Sequence, residues 1–115
     1  MQRTIRIQIV LALIIAYSAA SAGETSENWA ELMAGMERMH AAIMSITSSG
    51  NSDRDFVQLM LPHHEAALDM AKAELLHGSD PQMRRLAQEI IADQQSEIEL
   101  MKLWRKQHPV HAQRR

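Results

Sequence analysis

Residues 53–108 read DRDFVQLMLPHHEAALDMAKAELLHGSDPQMRRLAQEIIADQQSEIELMKLWRKQH, and this stretch decides the fold class. Its apolar residues recur every third or fourth position with no strand-like alternation, the signature of helices with one buried face. Gly78-Ser79-Asp80-Pro81 interrupts the pattern once. The spacing predicts a helix from about Asp53 to His77, with Asp53 and Asp55 in a first turn where the macrodipole favours anions and Gly78 as the C′ residue. Asp80 caps the next helix, Pro81 fills its first position, and Pro109 stops it near His108. Pro62 falls inside the earlier helix. It removes a backbone donor and frees the Gln58 carbonyl, so either a kink or break forms there, or a shorter helix starts at residue 62.

Upstream, Asn28 followed by Glu31 fits a capping box and opens a further helix to about Thr47, which Ser48-Ser49-Gly50-Asn51-Ser52 ends. Short connections make consecutive helices antiparallel, so the expected class is an all-α, up-down helical bundle. The first residues read as an address rather than as fold. Arg3 and Arg6 precede the apolar run Ile9 to Tyr17, and Ala20-Ser21-Ala22 supplies a small-x-small cleavage site. The run is shorter than the roughly 20 residues that span a bilayer. Residues 1–22 are therefore expected to be a signal peptide, with membrane attachment only if it stays uncleaved. Residues 23–109 then form the bundle and 110–115 a short, basic, disordered tail. The expected location is the periplasm or outside the cell.

Removing Arg3 and Arg6 from the 12 basic side chains leaves 10 against 14 acidic ones, a formal charge of −4 for the mature chain. A nucleic-acid binder needs a basic face, so that class is disfavoured. There is no cysteine, so neither disulfides nor thiolate metal sites are available. Methionine is abundant: of 9, only Met1 falls in the signal. Soft-metal chemistry, if present, must come from thioether sulfur and imidazole nitrogen.

At about 100° per residue, Trp29, Met33, Met36, His40, Ile43, Met44 and Thr47 share one face of the first helix. Phe56, Met60, His63, Ala67, Met70 and Glu74 share a face of the second, with His64 at its edge. Met83, Ala87, Ile90, Gln94, Glu97 and Met101 share a face of the third. Met39 lies off these faces. Antiparallel pairing about the loops puts residue 40 opposite about residue 60, and 60 opposite about 98. His40, Met44, Met60, His63, His64, Gln94 and Met101 are then expected in one half of the bundle, and Met33, Met70 and Met83 in the other.

Two readings stand. A methionine stripe at helical spacing is ordinarily core, since Met fills irregular gaps. Buried imidazoles among thioethers, however, need partners for their ring nitrogens, and Cu(I) or Ag(I) accepts both ligand types at low coordination number. Other sites carry less. Glu37-x-x-His40 and Glu74-x-x-His77 have di-iron spacing but are expected at separate levels. No nucleophile motif or phosphate loop occurs. His77 sits well for the helix dipole, while His108 and His111 lie at the tail. Arg84-Arg85, Lys102 and Arg105-Lys106 read as solvated faces.

The segment Asp55 to Ala71, with its M-x-P-H-H-x-x-A-x-x-M-A core, resembles the domain-of-unknown-function family numbered 305. The likeness continues through Leu86 to Ile91 and Gln94 to Trp104, and upstream through Met36-x-x-Met39-His40-x-x-x-Met44. It implies a ferritin-like helical fold, export, and the Cu(I) and Ag(I) binding linked to metal resistance in characterised members. Carried over residue by residue, it falls on Met36, Met39, His40, Met44, Met60, His63, His64, Met70 and Met101. The mature chain has three helices where that fold has four, so a homodimer or a retained signal helix would complete the core. The combined expectation is a non-catalytic, exported protein that sequesters or transfers Cu(I) or Ag(I), with a periplasmic copper-handling protein as possible partner. His40, Met44, Met60, His63, His64 and Met101 form the centre, and Gln94 is an orienting partner. The alternative is a structural or interaction bundle with a Met-rich core or partner-binding face.

Overall fold

A computed structural model describes residues 27–110. The signal peptide expected at 1–22 and the tail at 111–115 lie outside the described residues. The chain divides into two compact units, Met1–Ala30 and Glu31–Arg115, and the bundle and its sites belong to the second. Helix α1 is described over 27–44, α2 spans Ser52–His77 and α3 spans Pro81–Gln107. All regular structure among the described residues is helical, as the periodicity requires. No helix among them is long and apolar enough to cross a membrane.

The helix ends follow side-chain chemistry. Asn51, rather than a residue nearer Asp53, caps α2: its side-chain oxygen accepts from the Arg54 N–H at 2.9 Å. Asp80 accepts from the N–H groups of Gln82 and Met83 at 2.9 and 3.0 Å, with Pro81 behind it as expected. Helix α1 ends at residue 44, short of Thr47, in a tight turn where Ser45 and Ile46 donate to the carbonyls of Ala42 and Ile43. Gly50 has φ +77° in the following loop, a left-handed conformation that favours glycine. Gly78 is different. Its φ is −71°, so it is not a left-handed C′ glycine, but a Cβ there would lie 2.7 Å from the Glu74 carbonyl oxygen.

Asp55 organises the α1–α2 loop. Its carboxylate accepts from the Ser48 hydroxyl at 2.6 Å, the Ser49 hydroxyl and N–H at 2.7 Å each, and the Gln58 amide at 2.9 Å. The serine hydroxyls, Ser48 first, hold the carboxyl down from 3.8 to about 2.

Pro62 produces no break: α2 is continuous through it. Leu61 and Ala66, on either side of the lost hydrogen bond, are both buried, so packing holds the turn that the backbone no longer ties. The main core is the α2–α3 seam, where Val57, Leu61, Ile98 and Met101 are buried and Met60, Leu68 and Trp104 pack against them. Helix α1 lies on α2 through small residues. Gly35 is buried, and a Cβ at that position would meet the Asp69 Cβ at 3.7 Å.

Cross-helix polar contacts fix the register. Arg38 meets Asp69 at 3.0 Å and His77 meets Glu31 at 3.1 Å. Residue 40 is therefore level with about residue 68, not 60, because the loop occupies 45–51 and α1 slides roughly two turns along α2. Across the other seam, Lys102 pairs with Glu65 and Arg54 reaches the His108 carbonyl, so residue 60 lies level with about residue 103 rather than 98. Arg84 is no solvated cation either. It is half-buried and ties the C-terminal end of α2 by donating to the carbonyls of Leu75 and Gly78 at 2.7 and 3.0 Å.

The Asp55 network sets an acid response. A carboxyl depressed in the fold stabilises it above the unfolded value near 3.8, and that contribution disappears as pH falls through about 2. Urea midpoints of the parent chain should fall across that window. Asp55→Asn should have a lower midpoint at neutral pH and a shallower fall, measured by circular dichroism.

Candidate soft-metal site

The structure divides the nine candidate residues into a buried group and an exposed group. On α2 the faces turned to its neighbours carry Val57, Leu61, Ala66, Ala71 and Ala73, roughly 100° away from the expected Phe56–Met60–His63–Met70 stripe. On α3 the expected face holds in the main: Ala87 and Met101 are buried and Ile90 and Gln94 half-buried, while Glu97 and Met83 are exposed and Ile98 joins the buried set. On α1 from Glu31 on, the covered positions are Leu32, Ala34, Gly35, Met39 and Ile43, so Met39 is on the packed face and Met36, His40 and Met44 are not. The physical reason is the slimness of the bundle. Each seam is wide enough for one row of aliphatic and small residues, and the parallel row of Met, His and Phe is left at or beyond its edge.

The buried group lies along the α2–α3 seam. Met101 is 7% exposed and Met60 packs with it, so both are bundle core. His64 flanks them, one turn from Met60. Its Nδ1–H donates to the Met60 carbonyl at 2.9 Å, and its Nε2 meets Glu97 Oε2 at 2.5 Å. One proton lies between ring and carboxylate, so Nε2 offers no free lone pair while that contact lasts. Gln94, one turn from Glu97, has a buried side-chain oxygen without a hydrogen-bond partner. Glu97 is thus the carboxylate partner of His64, a role that the sequence hinted at only by its position on the third helix.

The exposed group follows the α1–α2 seam. Gly35 marks the side of α1 that touches α2, and Ala66 faces the same seam. Arg38 and Asp69 pair along one edge of it. Helical geometry puts Met36 on the opposite edge of α1 and His63 and Met70 on the matching edge of α2, while Met39 sits under the seam itself and lines the cavity beside Arg38 and Asp69. The register makes residue 36 level with about residue 71, and residue 39 with about 68. Met36, Met39 and Met70 therefore lie within about one turn of each other. Met36 and Met70 are each 39% exposed and Met39 is half-buried, so solvent reaches all three. His40 stands next to Met39 on the outer side of α1, also exposed.

His63 lies on the same edge of α2, two turns before Met70. Its Nδ1–H donates to the Leu59 carbonyl at 2.7 Å. A carbonyl can only accept, so the proton resides on Nδ1 and Nε2 keeps a lone pair at the exposed surface, the arrangement metal-binding histidines use. Met44 does not join this strip. It is nine residues from Gly35, half a turn round the helix from the α2 contact, and 72% exposed. Of the six residues expected at the centre, Met60, His64 and Met101 come together at the α2–α3 seam, whereas His40, Met44 and His63 lie apart from them at the surface.

Among the described residues no three His, Asp or Glu side chains gather in a way that could hold an ion. The thioethers of the α1–α2 edge are the densest set of candidate ligands. His77 and His108 have structural partners: His77 contacts Glu31, and the His108 ring stacks on Trp104 with centroids 4.3 Å apart while its Nδ1–H donates to the Trp104 carbonyl.

A three-helix bundle carrying M-x-P-H-H on its central helix and a Met-x-x-Met-His run on the first defines the class of protein. The chain belongs to the domain-of-unknown-function family DUF305, whose model matches residues 12–105. It is also similar to an uncharacterized protein of Acanthamoeba polyphaga mimivirus, with 39% identity over 49 residues, 43% of this chain and 32% of that protein. The chain thus spans about a third of the curated relative it matches.

The division between core and surface methionines has a direct test. Met101→Ala should destabilise the fold by about 2–5 kcal/mol, as large-to-small core changes do. Met36→Ala should stay within about 0.5 kcal/mol of the parent. Denaturant unfolding of both variants measures the difference.

Proposed function

We propose that this chain binds soft monovalent metal ions, Cu(I) or Ag(I), at the α1–α2 edge, and that it holds or transfers them without catalysis. The observation that carries this reading is the three thioethers Met36, Met39 and Met70, brought to one level by the register and left open to solvent. Thioether sulfur suits Cu(I) and Ag(I) and is a poor ligand for hard ions, and a few such donors satisfy a low coordination number. His40 and His63 flank the cluster, and the exposed Nε2 of His63 gives an arriving or departing ion a nitrogen to bind. Entry from the surface also suits transfer, since an ion bound at an exposed edge can pass to a partner by ligand exchange. Export to the periplasm or cell exterior belongs to the same proposal: in an oxidising compartment thioethers persist where thiols are consumed.

A second reading rests on the unusual number of apolar side chains at the surface. Phe56, Leu76, Leu100 and Leu103 are all exposed, and adaptable Met-rich surfaces serve partner binding as well as metal binding. The two readings separate under Met→Leu substitution, which keeps bulk and hydrophobicity but removes sulfur.

In anaerobic competition against a chromogenic Cu(I) chelator, Met36→Leu and Met70→Leu should each weaken Cu(I) affinity by at least about tenfold, while Met101→Leu leaves it unchanged. Affinity equal to the parent in the first two variants would remove the metal from this edge and favour the partner-binding surface.

A further inference from the structure

Where α2 begins and α3 ends, the bundle holds its one buried charge among the described residues. Arg54 is 8% exposed and stands in the first turn of α2, a position where the helix dipole disfavours a cation. Its guanidinium reaches across to α3, where Nη2 donates to the His108 carbonyl at 2.9 Å. That bond uses one of five N–H groups, and among the described residues no carboxylate pairs with the cation. A buried cation without an anion is costly, and the remaining donors need an acceptor.

A cavity of about 210 Å³ opens beside it. Val57, Trp104, Pro109 and Val110 give it an apolar wall, and Gln58 and Arg105 complete the lining around Arg54. Stacking on His108 holds the Trp104 ring in place. The volume equals that of about seven liquid waters, and it is smaller than the roughly 300 Å³ at which drug-sized sites begin.

We propose that this cavity binds a small monocarboxylate with an apolar body. The carboxylate is held by the Arg54 fork with Arg105 beside it, and the body lies on the Trp104 wall. A planar guanidinium matches a carboxylate through two parallel hydrogen bonds, and the apolar wall excludes small hydrated inorganic anions. The site lies about seventeen residues of α2 from the level of Met36, roughly 25 Å, and requires no metal.

The test is calorimetric titration of the full metal-free chain with benzoate, with benzyl alcohol as the uncharged counterpart. Saturable binding of benzoate and none of benzyl alcohol is expected. Arg105→Gln should weaken benzoate several-fold with a melting temperature close to the parent's, since Arg105 is exposed and makes no ion pair among the described residues. Arg54→Lys keeps a cation for the His108 carbonyl but loses the fork, and should weaken benzoate by about tenfold or more. The proposal is overturned if the parent shows no saturable benzoate binding, if benzyl alcohol binds equally well, or if both variants bind benzoate as the parent does.

Discussion

The α2–α3 seam is the contact on which the other features depend. Val57, Leu61, Ile98 and Met101 are the large apolar side chains that are buried among the described residues, each still 6–7% exposed, and Met60, Leu68 and Trp104 close over them. With no disulfide and few aromatic residues, the bundle is held by this strip and by the close approach of α1 through Gly35. A core so slim leaves little interior for side chains of intermediate size. Methionines that would be buried in a wider bundle lie at its margins instead, which is how thioethers come to be exposed along α1 and α2.

Register is the second constraint, and it acts through polar pairs rather than through burial. Exposed ion pairs such as Arg38–Asp69 contribute little to stability, about 1 kcal/mol or less each. Their importance is geometric. Together with Glu31–His77 they select one of several helical slides that the small-residue contact of α1 on α2 would tolerate. That selection brings Met36 to Met70, and it separates His40 from Met60 by about two turns.

The fold was legible in the sequence because helices announce themselves through local rules. Asp80-Pro81 opens α3, the 3–4 periodicity fixes the helical class, and the loop residues 48–51 mark the chain reversal. The site was legible only in part. Residue types pointed to Met and His, but phase and register are tertiary properties. Phe56 looks like core to a periodicity count but is exposed, whereas Val57 and Leu61 occupy the seam and Met60 only packs against its side. Met39 reads as lying off the first helix's face for the same reason, although it is on the covered face of α1. The α1–α2 slide depends on how many residues the loop consumes, and no local signal fixed the end of α1 at residue 44 rather than 47. Arg84 also reads as a solvated cation, because the carbonyls it ties belong to the end of the preceding helix.

Histidine shows how one residue type divides in role. His63 and His64 are neighbours in sequence, and each donates Nδ1–H to a carbonyl one turn back, yet Glu97 engages the second ring and the first stays open. His77 and His108 serve helix packing and a helix end. Among the described residues, Met36 and Met70 at the α1–α2 edge are soft donors that share a level and are open to solvent. X-ray absorption at the copper edge of the Cu(I)-loaded chain reads that ligand set most directly. A first shell dominated by sulfur, and lost in the Met36→Leu/Met70→Leu double variant, is the predicted result. A shell of nitrogen or oxygen alone, unchanged in that variant, would contradict it.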